Sequence, residues 1–146
     1  MKVYESSEIR NVALIGHGNC GKTTLAAGML FASGATNRLT RVDEGNTVTD
    51  FDEDEIQRKI TIATACAYVE WRKNKVNLLD TPGFNIFIND TKAAMVAADA
   101  GLVVVDGVAG VEVQTEKVWS FCEDYNLPRA FVINKLDRER SSFERT

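Results

Sequence analysis

The sequence predicts an α/β protein with a mainly parallel sheet, helices on both faces and one antiparallel hairpin. Short apolar runs of strand length alternate with segments whose apolar residues recur at helical spacing. The polar triplet Arg72-Lys73-Asn74 separates two of these runs and is typical of a hairpin turn. Because the chain has 146 residues and no internal repeat, we expect one domain over residues 1–146.

The elements follow one another from strand to helix. The predicted strands cover about 11–15, 60–71, 75–79, 102–106 and 130–134, and the predicted helices cover 22–32, 86–98 and 115–125. Between the first helix and the second strand lies an acidic tract, residues 43–55, whose charge and low hydrophobicity predict a segment that is mobile without a ligand.

The first candidate site follows the first predicted strand and fits G-x-x-x-x-G-K-[ST] at every defined position. In this context the loop amides face phosphates, the Lys22 ammonium reaches the outer phosphates and the Thr23 hydroxyl binds Mg²⁺. A chance glycine turn is the alternative. Cys20 is either an acidic thiol beside Lys22 or a small residue that fits the loop. The residues predicted to surround the phosphates are Gly16, His17, Gly18, Asn19, Cys20, Gly21, Lys22, Thr23 and Thr24.

The second candidate site, Asp80-Thr81-Pro82-Gly83, follows another strand-like run. A carboxylate at a strand end beside phosphates is placed to hold Mg²⁺, directly or through water, and Asp80 takes that role. Gly83 has no side chain to keep its N–H from the terminal phosphate. An ordinary β-turn is the alternative.

The third candidate site, Asn134-Lys135-Leu136-Asp137, follows the last predicted strand. The Asp137 carboxylate can accept hydrogen bonds from N1–H and the exocyclic amine of guanine, a donor pair that adenine lacks. Asn134 would tie the loop to the first motif or to the base, and the Lys135 stem would lie along the purine. The three motifs together indicate GTP and GDP as ligands and a P-loop NTPase fold of the Ras-like kind.

From about Asn11 to Arg138 the chain resembles translational GTPases, specifically the GTP-binding domain of elongation factor G or of a paralogue similar to it. Arg58 to Ile62 and the stretch from Gly110 to Glu116 also match that pattern. The resemblance implies Mg²⁺-dependent GTP hydrolysis on the ribosome, a first switch over about 35–62 and a second over about 80–95. It implies Thr61 as a further Mg²⁺ ligand. The implied catalytic residues are Lys22, Thr61 and Gly83.

The resemblance also implies a longer domain. Members of the family have one more strand, a base-contacting loop and a last helix, which this sequence lacks. We therefore expect a fragment that is truncated at its C-terminal end inside the GTPase domain, with an uncovered edge strand.

Three positions depart from the family pattern. Phe84 replaces the histidine that positions the attacking water, and Gly18 replaces an apolar residue of a gate whose other side, Ile60, is present. We expect the Phe84 ring to fill the space at Gly18 and to make the water site less reactive. Lys59 replaces a glycine; it either adds a cation near the phosphates or, as we favour, lies in solvent.

Asn19 leaves two interpretations open. It corresponds to a position that binds K⁺ in some relatives, or it is a small polar residue tolerant of left-handed backbone.

Composition bounds the partners. The net charge of −4 does not favour direct, sequence-specific nucleic-acid binding by this segment. No apolar run is long enough to cross a membrane. Three scattered cysteines indicate reduced thiols, and we expect a cytoplasmic protein. Two functions remain: a GTPase, or a GTP-gated binding module with very slow or no hydrolysis because of Phe84.

Overall fold

A computed structural model describes residues 2–146. Five strands form one sheet in the order β2-β3-β1-β4-β5. The strands are β1 (Ile9–Gly16), β2 (Ala65–Trp71), β3 (Asn74–Asp80), β4 (Ala100–Asp106) and β5 (Arg129–Asn134). Only the β2–β3 pair is antiparallel, since β1 pairs in parallel with β3 and β4, and β4 pairs in parallel with β5. The predicted sheet is therefore confirmed.

Helices lie on both faces, as predicted. They are α1 (Lys22–Ala32), α2 (Glu53–Arg58), α3 (Ile88–Ala97) and α4 (Val113–Asp124). On one face Leu30 of α1 packs with Ala67, Val69 and Leu78. On the other, α3 and α4 cover a second apolar cluster, which contains Ala13, Ile15, Met95, Val103, Val105, Val118, Cys122 and Leu127. Alternate residues of the central strands point to opposite faces, so the strands are buried on both sides.

The hairpin turn is Arg72-Lys73, because Trp71 and Asn74 already pair across the two strands. Both turn residues have positive φ, 47° and 69°. This is the left-handed geometry that matches the twist of a two-residue hairpin. Asn74, predicted as part of the turn, is the first residue of β3.

The structure differs from the predicted elements between residues 43 and 64. Part of the acidic tract forms the helix α2, which was not predicted, and its first residue follows an Asp52 cap that accepts a hydrogen bond from the Asp54 N–H. In addition, β2 begins at Ala65 and not near Ile60. Two carboxylates accept hydrogen bonds from the backbone between α2 and β2: Glu55 from the amides of residues 62 and 63, and Asp90 from the amide of Thr64. These amides are thus unavailable for sheet pairing.

The predicted edge strand is β5, which ends the sheet beyond β4. No helix within residues 2–146 combines the length and apolar character needed to cross a bilayer.

Candidate nucleotide-binding site

A cavity of about 660 Å³ lies where the loops after β1, β3 and β5 meet. The carboxyl ends of parallel strands share one edge of a sheet, which is the usual ligand-binding edge of such folds. All three motifs contribute to the wall. The lining residues are Gly18, Asn19, Gly21, Lys22, Thr23, Thr24, Val42, Asp43, Asp50, Arg58, Lys59, Ile60, Thr61, Gly83, Phe84, Asn134, Lys135, Asp137 and Arg138.

The loop after β1 leads directly into α1. Gly21 caps the helix in the left-handed region, with φ of 99°, and the Asn134 amide lies against it, so a side chain at this position has no room. Lys22 is buried at 5% exposure, and its ammonium donates to the carbonyls of Gly16 at 3.3 Å and His17 at 2.8 Å. The loop thus folds around a lysine ammonium at a helix N-terminus, an arrangement suited to phosphate.

The loop after β3 packs on the first loop. A Cβ atom on Gly83 would lie 2.5 Å from Lys22 Nζ and 2.6 Å from the Gly18 nitrogen. Only glycine therefore fits at residue 83. The preceding Thr81 is fully buried and donates its hydroxyl hydrogen to the Leu14 carbonyl at 2.6 Å, which fixes the loop to β1.

The Phe84 ring lies directly against Gly18. A Cβ atom on Gly18 would approach three ring carbons at 2.7, 2.8 and 2.9 Å, closer than side chains tolerate. The expectation that this ring fills the space at Gly18 is confirmed. Phe84 places an apolar surface in the cavity wall beside Gly83, and its phenyl group can neither donate nor accept a conventional hydrogen bond.

Two threonine hydroxyls from distant segments meet beside α1. Thr23 Oγ1 and Thr61 Oγ1 are 3.0 Å apart, and Thr61 donates to Asp50 Oδ1 at 2.9 Å. Oxygen atoms that are adjacent on an octahedral Mg²⁺, at about 2.0–2.1 Å from the ion, lie about 2.9 Å from each other. The two hydroxyls therefore fit a shared magnesium ion.

Asp80 is a second acidic residue of this region, besides Asp50. It is fully buried, accepts the Thr49 hydroxyl on Oδ2 at 2.8 Å, and has no partner for Oδ1 within the described structure. Burial raises the pKa of the Asp80 carboxyl to about 6, although the Thr49 hydroxyl and the Lys22 ammonium favour the charged form. An unpartnered buried carboxylate oxygen on a side chain that lies beside the Thr23 and Thr49 hydroxyls matches the ligand preference of Mg²⁺.

The loop after β5 is tied to the first loop, as predicted for Asn134. Its side-chain amide donates to the Cys20 carbonyl at 2.9 Å. Lys135 Nζ donates to the Asn19 carbonyl and to Asp106 Oδ2, both at 2.5 Å. These contacts hold the loop that carries Asp137 in the cavity wall.

Asp106 anchors this loop from the end of β4. Its partial burial opposes ionisation, but the Lys135 ammonium and the amides of Val108 and Ala109 outweigh it and lower the pKa of the carboxyl.

Several predicted site residues support the wall without lining it: Gly16, His17, Cys20, Asp80, Thr81 and Pro82. His17 Nε2 lies 3.4 Å from Glu112. Cys20 is 1% exposed, and burial raises the pKa of its thiol despite the nearby Lys22. The interpretation of Cys20 as an acidic thiol is thus wrong, and that of a small residue fitting the loop is retained.

The wall also contains residues that sequence reasoning did not assign to the site, namely Val42, Asp43, Asp50, Arg58 and Arg138. Most come from residues 35–62, the predicted first switch, where no periodic pattern indicates which side chains turn inward. Arg138 directly follows Asp137 and could have been found from that adjacency.

Two of the residues that depart from the family pattern have left-handed backbone. Asn19 has φ of 62°, as its interpretation as a tolerant polar residue requires. Lys59 has φ of 55° and caps the C-terminus of α2. Its side chain is about half exposed, as favoured from the sequence, although it also lines the cavity, and its ammonium lies 3.6 Å from Asp43.

Solved structures share this fold. A solved structure from Thermus thermophilus superposes with a TM-score of 0.87 and 43% identity, over 90% of this chain and 20% of that one. A bacterial selenocysteine-specific elongation factor, EF-Sec, superposes with a TM-score of 0.74 and 24% identity, over 92% of this chain and 21% of that one. The second likeness speaks for the fold alone.

Similar sequences include the mitochondrial ribosome-releasing factor 2 of Scheffersomyces stipitis, 44% identical over 94% of this chain, and that of Culex quinquefasciatus, 46% identical over 93%. The chain spans 16% and 18% of the length of these two relatives. The model of the elongation factor Tu GTP-binding domain matches residues 7–146. The resemblance to translational GTPases is thereby confirmed, and the chain belongs to the elongation factor Tu GTP-binding domain family.

Proposed function

We propose that this chain is the GTP-binding part of an elongation-factor-G-like GTPase whose switches change conformation on the ribosome. The observation that carries the proposal is the convergence of the loops after β1, β3 and β5 on one cavity. Phosphate, metal and base functions come from different loops, and their meeting at one site makes a chance match of all three motifs an inadequate explanation.

The phosphate and base ends have separate residues. Lys22 and the loop amides hold the phosphates, and Thr24 lies beside them in the cavity wall. Asp137 reads the guanine edge. Asn134 and Lys135 secure its loop to the Cys20 and Asn19 carbonyls.

Magnesium fits between the phosphate loop and the first switch. Thr23, Thr61 and Asp80 would hold it, with Asp80 acting directly or through water. When bound, the ion neutralises charge on the phosphates. Thr61 in turn would link residues 35–62 to the terminal phosphate, and Gly83 would link residues 80–95, so that both segments respond to hydrolysis.

Hydrolysis transfers the terminal phosphoryl group to water, breaking its bond to the bridging oxygen and leaving GDP and phosphate. Lys22 and the Gly83 N–H stabilise the negative charge of the transferred phosphoryl group, and Thr61 lies next to it. Phe84 cannot orient or deprotonate the water. General acid–base help is worth about 10²–10⁴ in rate, so the intrinsic reaction is slow. A group supplied in trans is worth about 10³–10⁵ in phosphoryl transfer and would compensate.

A GTP-gated binding module is the second candidate function. The packing of Phe84 on Gly18 favours it, because this apolar contact occupies the wall next to Gly83, where the family pattern has a histidine. In such a module the nucleotide state is reset by exchange and not by hydrolysis.

Ribosomes are the proposed partner, acting through the full-length protein, since the relatives carry the name ribosome-releasing factor. We propose neither membrane association nor sequence-specific nucleic-acid binding for this segment, given its net charge of −4. We propose the cytoplasm as its compartment; the relatives' names contain the word mitochondrial, and fractionation of cells that produce the protein distinguishes the two.

Single-turnover GTP hydrolysis by the full-length protein, with and without ribosomes, tests the proposal. Strong stimulation by ribosomes, lost in a Lys22→Ala variant, supports the GTPase. Tight GTP binding with no stimulated hydrolysis contradicts it and supports the binding module. The same assay with Na⁺ in place of K⁺ tests a monovalent cation near Asn19, which an unchanged rate rules out.

A further inference from the structure

Glu55 is a buried acid in an otherwise exposed acidic helix. It is 3% exposed, whereas its helix neighbours Glu53 and Asp54 are exposed. A carboxylate is almost never buried unless its oxygen atoms are paired or hydrogen-bonded, because loss of hydration is costly. The burial of Glu55 therefore calls for a structural partner.

Its partners are backbone amides on the far side of Thr61. Glu55 Oε1 accepts hydrogen bonds from the N–H groups of Ile62 at 2.9 Å and Ala63 at 3.1 Å. The Glu55 backbone carbonyl accepts one from the Ile60 N–H at 3.2 Å. One residue of α2 thus accepts hydrogen bonds from the backbone immediately before and immediately after Thr61.

The segment 60–63 has no sheet pairing of its own, since β2 begins only at Ala65. Thr61 nevertheless has a defined position: its hydroxyl lies 3.0 Å from that of Thr23 and 2.9 Å from Asp50 Oδ1. The Glu55 carboxylate holds the backbone of the two residues that follow Thr61. Hydrogen bonds from backbone amides to a carboxylate are among the stronger ones, so those to Glu55 can hold a short irregular segment in one conformation.

We propose that Glu55 is a positioning residue: it sets Thr61 where Mg²⁺ and the terminal phosphate require it and thereby sets the preference for GTP over GDP. This inference rests on the proposed function of the cavity. GDP has no terminal phosphate, so its binding depends on the P-loop and Asp137 and not on the placement of Thr61. Loss of the Glu55 carboxylate should therefore weaken the binding of GTP and not that of GDP.

A purely helix-capping role is the competing explanation. Glu55 Oε2 also accepts the Asp52 N–H, but at 3.4 Å this bond is long. If capping were the whole role, removing the carboxylate would weaken α2 without distinguishing the two nucleotides. The ratio of triphosphate to diphosphate affinity thus separates the two explanations.

The test uses the full-length protein and compares binding of GDP with that of a non-hydrolysable GTP analogue over a range of Mg²⁺ concentrations. Glu55→Ala leaves two amides without their acceptor, so we expect about 10- to 100-fold weaker analogue binding and a higher Mg²⁺ requirement. GDP affinity should stay within about twofold. Glu55→Gln keeps an acceptor oxygen and should recover most of the affinity.

Glu53→Ala is the matched control, since this exposed carboxylate on the same helix should change neither affinity. If Glu55→Ala fails to bind GDP because it is misfolded, Glu55→Asp is measured instead; its shorter side chain should weaken analogue binding and leave GDP binding intact. An unchanged analogue-to-GDP ratio in the folded variants overturns the role of Glu55 while the proposed function stands. Failure of the wild-type protein to bind either nucleotide overturns both.

Discussion

Gly18 and Phe84 act as one unit at the scale of single residues. The ring occupies the space that a side chain at residue 18 would need, with contacts of 2.7 to 2.9 Å to an added Cβ. The sequence predicted this pairing because two departures from the family pattern involve complementary volumes, one lost and one gained. The chemical consequence, a slow intrinsic reaction, is still a prediction.

A double-mutant cycle measures that consequence. Gly18→Ile alone should displace the Phe84 ring and weaken nucleotide binding, because small-to-large changes in a filled space cost about 1–3 kcal/mol. Phe84→His with Gly18→Ile removes the conflict and supplies a group able to orient water. We expect single-turnover hydrolysis at least about tenfold faster than wild type, within the range of acid–base catalysis. A double variant no faster than wild type would contradict the account.

Strands were the most predictable elements. The predicted bounds of β3, β4 and β5 agree with the structure to within two residues, because short apolar-rich runs of strand length indicate strands both inside the sheet and at its edge. The motifs at their ends therefore fell in the right places. Helix α1 agrees at both ends, since its phosphate-loop glycine and its apolar spacing both mark it.

Helix α2 was not predictable in the same way. Its six residues carry one buried side chain, Glu55, so no apolar period indicates a helix. The residue that caps its C-terminus, Lys59, has left-handed backbone, where glycine is the expected residue. The late start of β2 has the same origin, since bonds from Glu55 and Asp90 to the preceding backbone are tertiary contacts without a local signal.

Lys59→Gly should stabilise the end of α2. A lysine in left-handed backbone costs about 1 kcal/mol relative to glycine, while its exposed pair with Asp43 contributes only a few tenths. Hydrogen exchange of the α2 amides should become slower by a few fold. Lys59→Ala is the control, because it removes the charge but keeps the strained Cβ and should not slow exchange. Faster exchange in the glycine variant would show that the ammonium matters more than the backbone.

At the scale of the whole molecule, the sequence predicted which loops meet but not how the cavity is enclosed. Motif order and strand assignments bring the loops of Gly83 and Asp137 to one sheet edge, because the strands are parallel. The inward turn of Thr49 and Asp50 depends on contacts with Asp80 and Thr61, which are distant in sequence. No local pattern in the acidic tract encodes those contacts.

The bond between Asp106 and Lys135 joins the ends of β4 and β5 and should make stability depend on pH. The pKa of Asp106 is lowered on folding, so its contribution is full above the unfolded value of about 3.9 and is lost as pH falls through the folded value. Asp106→Asn keeps an acceptor for the loop amides but loses the charge. In urea unfolding, the free energy of unfolding of this variant should be about 1 kcal/mol below that of wild type at pH 7. This difference should narrow below about pH 4. A gap that persists or widens at pH 3 would contradict this assignment.

Base specificity tests the central claim most directly, because it depends on Asp137 lying at the same site as the phosphate loop. In xanthine an oxygen replaces the exocyclic amine of guanine, so an asparagine, which both donates and accepts, suits xanthine as aspartate suits guanine. Equilibrium binding of GDP and xanthosine diphosphate to the full-length protein and its Asp137→Asn variant is the measurement. We predict that the variant loses GDP affinity by about 100-fold or more, because the two hydrogen bonds that guanine donates lose their carboxylate acceptor. The variant should gain affinity for xanthosine diphosphate. A variant that binds GDP as tightly as wild type would contradict the guanine-nucleotide site.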